Sequence, residues 1–489
     1  MAGNDDYLNS RLEKQRRHHP YDVESWYSAL QPHTFPTKFV PLDPVDARRI
    51  IKYYRHRYTN RMELKYLDCV GLKNLERTLD KILKGDERFR SGAFIRLSTR
   101  SPKDGAPYTN SLTSLYEKRL KQLGAAAAAA KGKAGGTWDP NSANTKAAAA
   151  FAAQEECLRV TSGKEAMSLL LTSERAYVDL MLAIDCMDFV AKQRRNKRQR
   201  EMLQLKDKDP EEYERRRRMK IKEKPDWNMN IIVRSWDSRI KGSLEFRTFV
   251  CNDRLTAISQ YNHYCFFPEL SAMQTALHSA ITTKFRKDVQ PVLSKAGYKN
   301  YIIDFGVVQV QEGAEGREKQ NGGESDAKTK QTKRESVEEA GEAMVNVQDG
   351  GGVSPRLECV VIELNPFETS TGAGLFSWTD DRKLLHGEED ENDIKEDNGG
   401  GNEDKENKSK SAKMHPIVSK RMSPPFRVHK EPVPGLERFV EGILMPMVKE
   451  CPESLERPVD KQERYDDLIN RIIEDEKSSQ ASGKTCALL

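Results

Sequence analysis

The chain lacks an excess of either charge, a long apolar run and any paired cysteine spacing, and each shortage removes a class of reading. Against 75 Asp and Glu stand 81 Lys and Arg, a net of +6 over 489 residues. No global field demands nucleic acid or membrane, so partners have to be argued from local charge. The eight cysteines (Cys69, Cys157, Cys186, Cys251, Cys265, Cys359, Cys451, Cys486) show no Cys-x-x-Cys spacing. That excludes a zinc ribbon and fits the reduced thiols of a cytosolic protein. No run of about 18 apolar residues is present to span a bilayer. The opening Met-Ala-Gly-Asn-Asp-Asp lacks the apolar core of a signal peptide. The expectation is a soluble, cytoplasmic protein. With 37% hydrophobic and 32% charged residues, much of the length is not core, and one good-sized folded region with padding is expected.

The padding is readable. Residues 1–20 form a polar, basic tail, and 124–154 are Ala/Gly-rich with too few large side chains to pack, which reads as a flexible insertion. Residues 311–356 and 386–413 are rich in Glu, Lys, Gly and Asn and read as disordered insertions. The basic stretch 192–224 holds Arg194 to Arg200 and Arg215 to Arg218 without interleaved aromatics. A solvated helix is preferred there over a nuclear address or RNA contact, and no DNA partner is expected. An acidic tail over 451–489 ends in Cys486-Ala-Leu-Leu489, which fits a prenylation signal whose terminal Leu favours geranylgeranyl. The acidic Ile-Ile-Glu-Asp-Glu upstream argues against a second membrane signal, so a membrane enters only if Cys486 is prenylated.

The folded stretches carry clear periodicities. Trp26 and Tyr27 are expected to be buried, followed by helices over 46–58 and 72–83 and a strand over 92–97. Ser98 to Gly105 is a polar Pro/Gly loop suited to wrapping phosphate with backbone amides. Strands follow near 228–236 and 243–261, with Asn252-Asp253 as a tight hairpin turn. On the second of these Glu245 and Arg247 share a face, lining something wet or forming a surface salt bridge. A helix over 268–293 and a short amphipathic helix after Pro434-Gly complete the pattern.

The run Cys359-Val-Val-Ile-Glu-Leu-Asn365 stops at Pro366, and strand geometry puts Glu363 and Asn365 on one face. Tyr301 to Val310 is a second strand, and antiparallel pairing across the intervening insertion sets Asp304 beside Glu363; a long loop adds only the logarithm of its length. Such oxygens suit magnesium with a shared phosphate. Strand-end polar residues facing water are the plain alternative, and a surface cation–aromatic pair is the alternative for Arg234 and Trp236.

Three ordered stretches, Ile95 to Gly105, Val233-Arg-Ser-Trp with Leu-Glu-Phe-Arg-Thr-Phe-Val250 and Ile-Ser-Gln260, and Ile303-Asp with Ile-Glu-Leu-Asn-Pro-Phe to Trp378, together resemble the cell division cycle protein 123 family over roughly 20–450. The resemblance implies an α+β, ATP-grasp-like fold whose two subdomains, with antiparallel sheets, enclose a nucleotide cleft. Those subdomains fall at 21–123 and 155–310, followed by a metal-site strand over 357–385 and a partner-binding segment over 414–450. It further implies ATP and magnesium as cofactors and, as partner, the gamma subunit of eukaryotic translation initiation factor 2, for which the family looks like an assembly chaperone; a monomer is expected. Carried over by position, Arg96 faces phosphate; Lys103, Asp104 and Gly105 lie in the loop by the nucleotide; Val233, Arg234 and Trp236 form the hinge strand against adenine; and Arg247 points at the phosphates. Asp304, Glu363 and Asn365 correspond to the magnesium triad. Arg96 stands where the family has Lys and Glu363 where it has Asp, the first trading a compact ammonium for a planar fork. A divergent ATP-grasp ligase or kinase acting on a protein or carboxylate is the alternative, and a prenylated scaffold without ATP is the third.

Overall fold

The computed structural model describes residues 2–59, 69–105, 112–129, 139–219, 225–310, 356–388 and 423–449. The two insertions expected at 311–356 and 386–413 lie outside these apart from their first or last residues, and Cys486 lies outside them altogether. The chain divides into two compact units, one of Met1–Leu115, Ala153–Asp237 and Ile443–Leu489, the other of Tyr116–Ala152 and Ser238–Gly442.

In the first unit, strands β1 (Thr37–Pro41), β2 (Ala93–Leu97) and β3 (Asn230–Ser235) form an antiparallel sheet with β3 in the middle. A central strand buries both faces, which is why Ile-Ile-Val-Arg-Ser runs without polar alternation. Ile95, Leu97, Ile231 and Val233 face a core shared with helices. The helices of this unit include α1 (Ala2–His18), α2 (Val23–Leu30), α3 (Pro44–Thr59) and α4 (Cys69–Gly85). Leu72, Leu75, Leu79 and Leu83 of α4 recur at helical spacing and are all buried.

Two helices, α5 (Leu112–Ala129) and α6 (Ala143–Cys157), occupy the stretch expected to be a flexible Ala/Gly insertion. Ala147, Ala149, Ala150 and Ala153 are fully buried. Alanine has the highest helix propensity and no side-chain entropy to lose, so a row of it forms a helix that neighbours approach closely. Composition alone reads the same row as unable to pack. The polar segment at 1–20 is likewise helical over α1. Next come α7 (Gly163–Thr172), α8 (Glu174–Lys208) and α9 (Pro210–Arg218). A capping box, with Ser162 and Glu165 each bonding the other's backbone, starts α7.

The second unit holds β4 (Glu245–Cys251), β5 (Arg254–Gln260), β6 (Tyr301–Val310), β7 (Arg356–Pro366) and β8 (Phe426–Arg427), in the order β7-β6-β4-β5-β8. All neighbours pair antiparallel except β5 with β8, which run parallel. Asn252 (φ 51°) and Asp253 (φ 63°) close the β4–β5 hairpin in the left-handed region, as a type I′ turn requires. Helix α10 (Pro268–Lys284) passes through a π turn at Phe285–Val289 into α11 (Gln290–Lys295). The molecule is thus α+β with largely antiparallel sheets. Among the described residues no helix is long and apolar enough to cross a membrane.

Candidate functional site

The β6–β7 pairing sets Asp304 opposite Glu363 and Ile302 opposite Asn365, with a bulge directly after Asp304. The neighbouring β4–β6 register places Arg247 opposite Asp304. Three strands thus bring one arginine, two carboxylates and one amide together. Arg247 Nε donates to Asp304 Oδ1 at 2.9 Å and its Nη2 to Oδ2 at 2.7 Å, and Asn365 Nδ2 donates to Oδ2 at 3.2 Å. Arg247 Nη1 donates to the Gly372 carbonyl at 2.7 Å, and its guanidinium lies 4.9 Å from the Tyr261 ring centre.

Arg247 and Asp304 are both buried. The wet face or surface salt bridge expected at Arg247 is therefore corrected to an interior ion pair, because its cross-strand partner on the neighbouring β6 is Asp304 and both side chains are buried. Burial opposes the Arg247 charge, but the charge and hydrogen bonds of Asp304, helped by Tyr261 and Glu363, more than offset it and hold the guanidinium above its ordinary pKa. Tyr261 and the Gly372 carbonyl are members of this cluster that no local sequence signal marked.

Oxygens from two carboxylates and an amide are donors for a hard cation, and the guanidinium on Asp304 shows that this carboxylate takes up positive charge. Magnesium takes such oxygens together with phosphate and water, while here both Asp304 oxygens accept from Arg247 and Oδ2 also from Asn365. Among the described residues no group of three or more His, Cys, Asp and Glu could hold a metal ion.

The first unit carries the remaining expected residues. Phe94 pairs with Arg234 and Arg96 with Ile232, so Arg96 and Arg234 share one face of the sheet while Val233 points into the core on the other. Arg234 is fully buried, with its guanidinium 4.8 Å from the Phe35 ring, 5.2 Å from Phe94 and 5.7 Å from Trp26, and it donates to Thr34 Oγ1 at 2.5 Å. The cation–aromatic alternative for this residue is thus realised with different rings and in the interior. Trp236 follows the end of β3, and its backbone N–H donates to Gly92 at 3.0 Å.

Arg96 is buried and donates to the backbone carbonyls of Leu97 and Thr99 at 3.3 and 3.1 Å. Around it lies a polar network that sequence reasoning missed. Glu24 accepts from Ser98 Oγ at 2.5 Å and Asn230 Nδ2 at 2.9 Å, while Asp179 accepts from Thr99 Oγ1 at 2.6 Å and Arg100 Nε at 2.9 Å. Burial, with the Glu24 and Asp179 charges adding and Arg96 opposing, pushes the Asp22 carboxyl up to about 7.

In the loop, Lys103 is exposed. Asp104 accepts from Ser173 Oγ at 2.6 Å and Arg175 N at 3.0 Å, binding the start of α8. A Cβ at Gly105 would strike the Leu169 carbonyl of α7, so glycine is required there. The structure thus unites Arg247, Asp304, Glu363 and Asn365 in one cluster and sets Arg96 and Arg234 on one sheet face; Asp104 and Gly105 sit against α7 and α8.

Comparison with curated proteins returns no match. Among solved structures, Cdc123 from Schizosaccharomyces pombe aligns at 15% identity over 83% of this chain and 94% of its own, with a TM-score of 0.39. A C-terminally truncated Cdc123 from the same organism aligns at 16% identity over 74% and 89%, with a TM-score of 0.37. The sequence signature of the D123 family matches residues 144–433, more than half of the chain and including Arg247, Asp304, Glu363 and Asn365, and the chain therefore belongs to the D123 family, the cell division cycle protein 123 family that its motifs resemble.

Proposed function

We propose that this protein binds ATP with magnesium and acts as an assembly chaperone for the gamma subunit of eukaryotic translation initiation factor 2. The cluster of buried Arg247 and Asp304 with half-buried Glu363 and Asn365 carries the nucleotide part of this reading, because it joins an oxygen donor set to a cation suited to phosphate. Magnesium, held by Asp304, Glu363 and Asn365, would neutralise phosphate charge. Arg247 offers a planar fork for phosphate oxygens, and Asp304 with Gly372 fixes that fork's orientation. Arg96, a second buried guanidinium, stands on its strand where the family resemblance has a phosphate-facing lysine. Family membership supports the client and the cytoplasmic, translation-related role.

The test is titration of the full chain with a fluorescent ATP analogue, in magnesium and in EDTA, alongside capture of the purified gamma subunit. Magnesium-dependent binding that is lost in Asp304→Asn and Glu363→Ala, with ATP-promoted capture of the gamma subunit, is the expected result. Unchanged nucleotide affinity in both folded variants overturns the site. Intact nucleotide binding without capture overturns the client and turns attention to ligase or kinase products.

A further inference from the structure

Strand register carries the buried cluster of the second unit further across the sheet. Glu363 on β7 faces Asp304 on β6, Asp304 faces Arg247 on β4, Arg247 faces Ser259 on β5, and Ser259 faces Arg427 on β8. Residues directly opposite one another present their side chains on the same face of a sheet. One row of side chains therefore crosses β7, β6, β4, β5 and β8, with the carboxylates of Glu363 and Asp304 at one end and the Arg427 guanidinium at the other.

The loop that follows β7 is tied to this row on three successive strands. Arg247 Nη1 donates to the Gly372 carbonyl at 2.7 Å, Leu375 N donates to Ser259 Oγ at 2.8 Å, and Arg427 Nη1 donates to the Leu375 carbonyl at 3.1 Å. Arg427 also holds the far end of the loop. Its Nη1 and Nη2 donate to Asp381 Oδ2 and Oδ1 at 2.8 and 2.6 Å, and its guanidinium lies 4.1 Å from the Phe376 ring centre. Asp381 stands at the N-cap position of a short helix, Arg382–His386, where an aspartate ordinarily accepts from the first backbone N–H groups. Here it makes no such bond. Its carboxylate is engaged by Arg427 and by Ser377 N at 2.8 Å, and the hydrogen bond from Arg427 holds its pKa below the ordinary value.

Inside the loop, Phe376 N donates to the Ala373 carbonyl at 3.1 Å and Trp378 Nε1 to the Thr371 carbonyl at 2.7 Å, so Gly372 and Leu375 belong to one bonded turn. Gly374 within it has φ 64°, and a Cβ there would strike Ser259 Oγ. The turn thus sits directly on β5, and whatever fixes Leu375 also fixes the carbonyl of Gly372. β8 is a secure base for Arg427. Ile258 N donates to the Pro425 carbonyl at 2.9 Å, and Gln274 Nε2 of α10 donates to the Phe426 carbonyl at 3.0 Å. Phe426 turns to the opposite face of the sheet, against buried Phe246 with ring centres 5.4 Å apart.

We propose that Arg427 is a positioning residue for the phosphate-binding fork of Arg247, acting through the turn from Gly372 to Asp381; this rests on the reading of Arg247 as a phosphate ligand. The contact of that fork with Asp304 is fixed by the β4–β6 register, whereas its contact with Gly372 depends on a loop. Arg427 pins the loop at both Leu375 and Asp381. Without it, Arg247 Nη1 loses a fixed acceptor and Asp304 alone sets the guanidinium plane. β8 lies within the segment 414–450 that the resemblance gives to partner binding, and through Arg427 it serves the nucleotide as well. A tie of purely structural value would lower stability and leave the phosphates of bound ATP where they are.

The test uses the full chain with Arg427→Gln and Asp381→Asn, which cut the same tie from either end; the second, milder change keeps the test open if the first does not fold. Ser294→Ala is the control, removing a hydrogen bond to Asp253 at the β4–β5 turn. Titration with a fluorescent ATP analogue in magnesium is expected to show binding weakened roughly three- to tenfold in both tie variants, the contribution of about one hydrogen bond. The control keeps native affinity. At saturating ATP, phosphorus NMR reads geometry apart from affinity: the phosphate resonances move in the tie variants and stay in place in the control. Hydrogen exchange without nucleotide, followed by mass spectrometry, is faster over residues 371–381 in the tie variants. An equal loss of affinity in Ser294→Ala, unmoved phosphate resonances, or weakened binding with unchanged exchange over 371–381 overturns the proposal. Native affinity in the tie variants, beside a native chain that binds, overturns this proposal alone. Absence of binding by the native chain overturns the nucleotide reading and this proposal with it.

Discussion

Arg247 on β4 and Asp304 on β6 are cross-strand neighbours joined by two hydrogen bonds, 2.9 and 2.7 Å, in the interior of the second unit. Such a pair is dehydrated on both sides, so its net gift to stability is small while the loss of one member is large. Arg247→Leu is expected to lower unfolding stability by about 3–5 kcal/mol by stranding the Asp304 charge. Adding Asp304→Leu should recover most of that loss. Urea denaturation of the two variants decides it: a double variant no more stable than the single one would show that the pair is not the source. On the proposed function, both variants also lose magnesium-dependent ATP binding.

Asp104 separates structural from nucleotide roles in the first unit. Its carboxylate holds Ser173 Oγ and Arg175 N at the start of α8. Asp104→Ala is expected to cost about 1 kcal/mol of stability through the lost cap. If Asp104 also lies by the nucleotide, ATP affinity falls as well. Thermal unfolding and ATP titration of the same sample distinguish the two: a stability loss with unchanged affinity makes Asp104 a cap alone.

What the sequence made legible was local. The β-branched run ending at Pro366, the Asn252-Asp253 turn and the apolar run over Tyr301 to Val310 are short-range signals, and with an assumed antiparallel pairing of the two runs they place Asp304 opposite Glu363. Arg247 was legible as a charged strand residue, but its burial depends on β6 lying beside β4, a pairing between residues 57 apart. The Arg234 box draws Trp26, Phe35 and Phe94 from three separate elements, which no periodicity links. The alanines of α6 mislead for a different reason: composition reports how much apolar area a side chain offers, and not how closely a neighbour can approach it.

Ala150 is fully buried on α6. Ala150→Leu adds three carbons to a packed position and is expected to cost about 1–3 kcal/mol through overpacking. Exposed Ala/Gly linkers accept the same change without cost. A shift in urea midpoint measures the difference, and an unshifted midpoint would mean that α6 does not pack in solution.

The Asp22 carboxyl gives a pH dependence with a definite sign. Its pKa rises from 3.8 to about 7 on folding, through burial first and then Glu24, with Arg96 opposing. The folded state therefore binds the proton more tightly than the unfolded chain between those values. This contribution to stability is fully present below pH 3.8 and is lost as pH rises through 7. Asp22→Asn keeps the neutral shape at every pH. Its side chain makes no capping hydrogen bond at α2 that the substitution would remove. At pH 8 the variant should be more stable than the native chain, and the gap between them should shrink by roughly 2–3 kcal/mol on moving to pH 5. Denaturation of both proteins at the two values measures this difference, in which the other titrating groups cancel. Parallel stability profiles would mean that Asp22 stays ionised in the folded protein and that solvent reaches the carboxyl between Glu24 and Arg96.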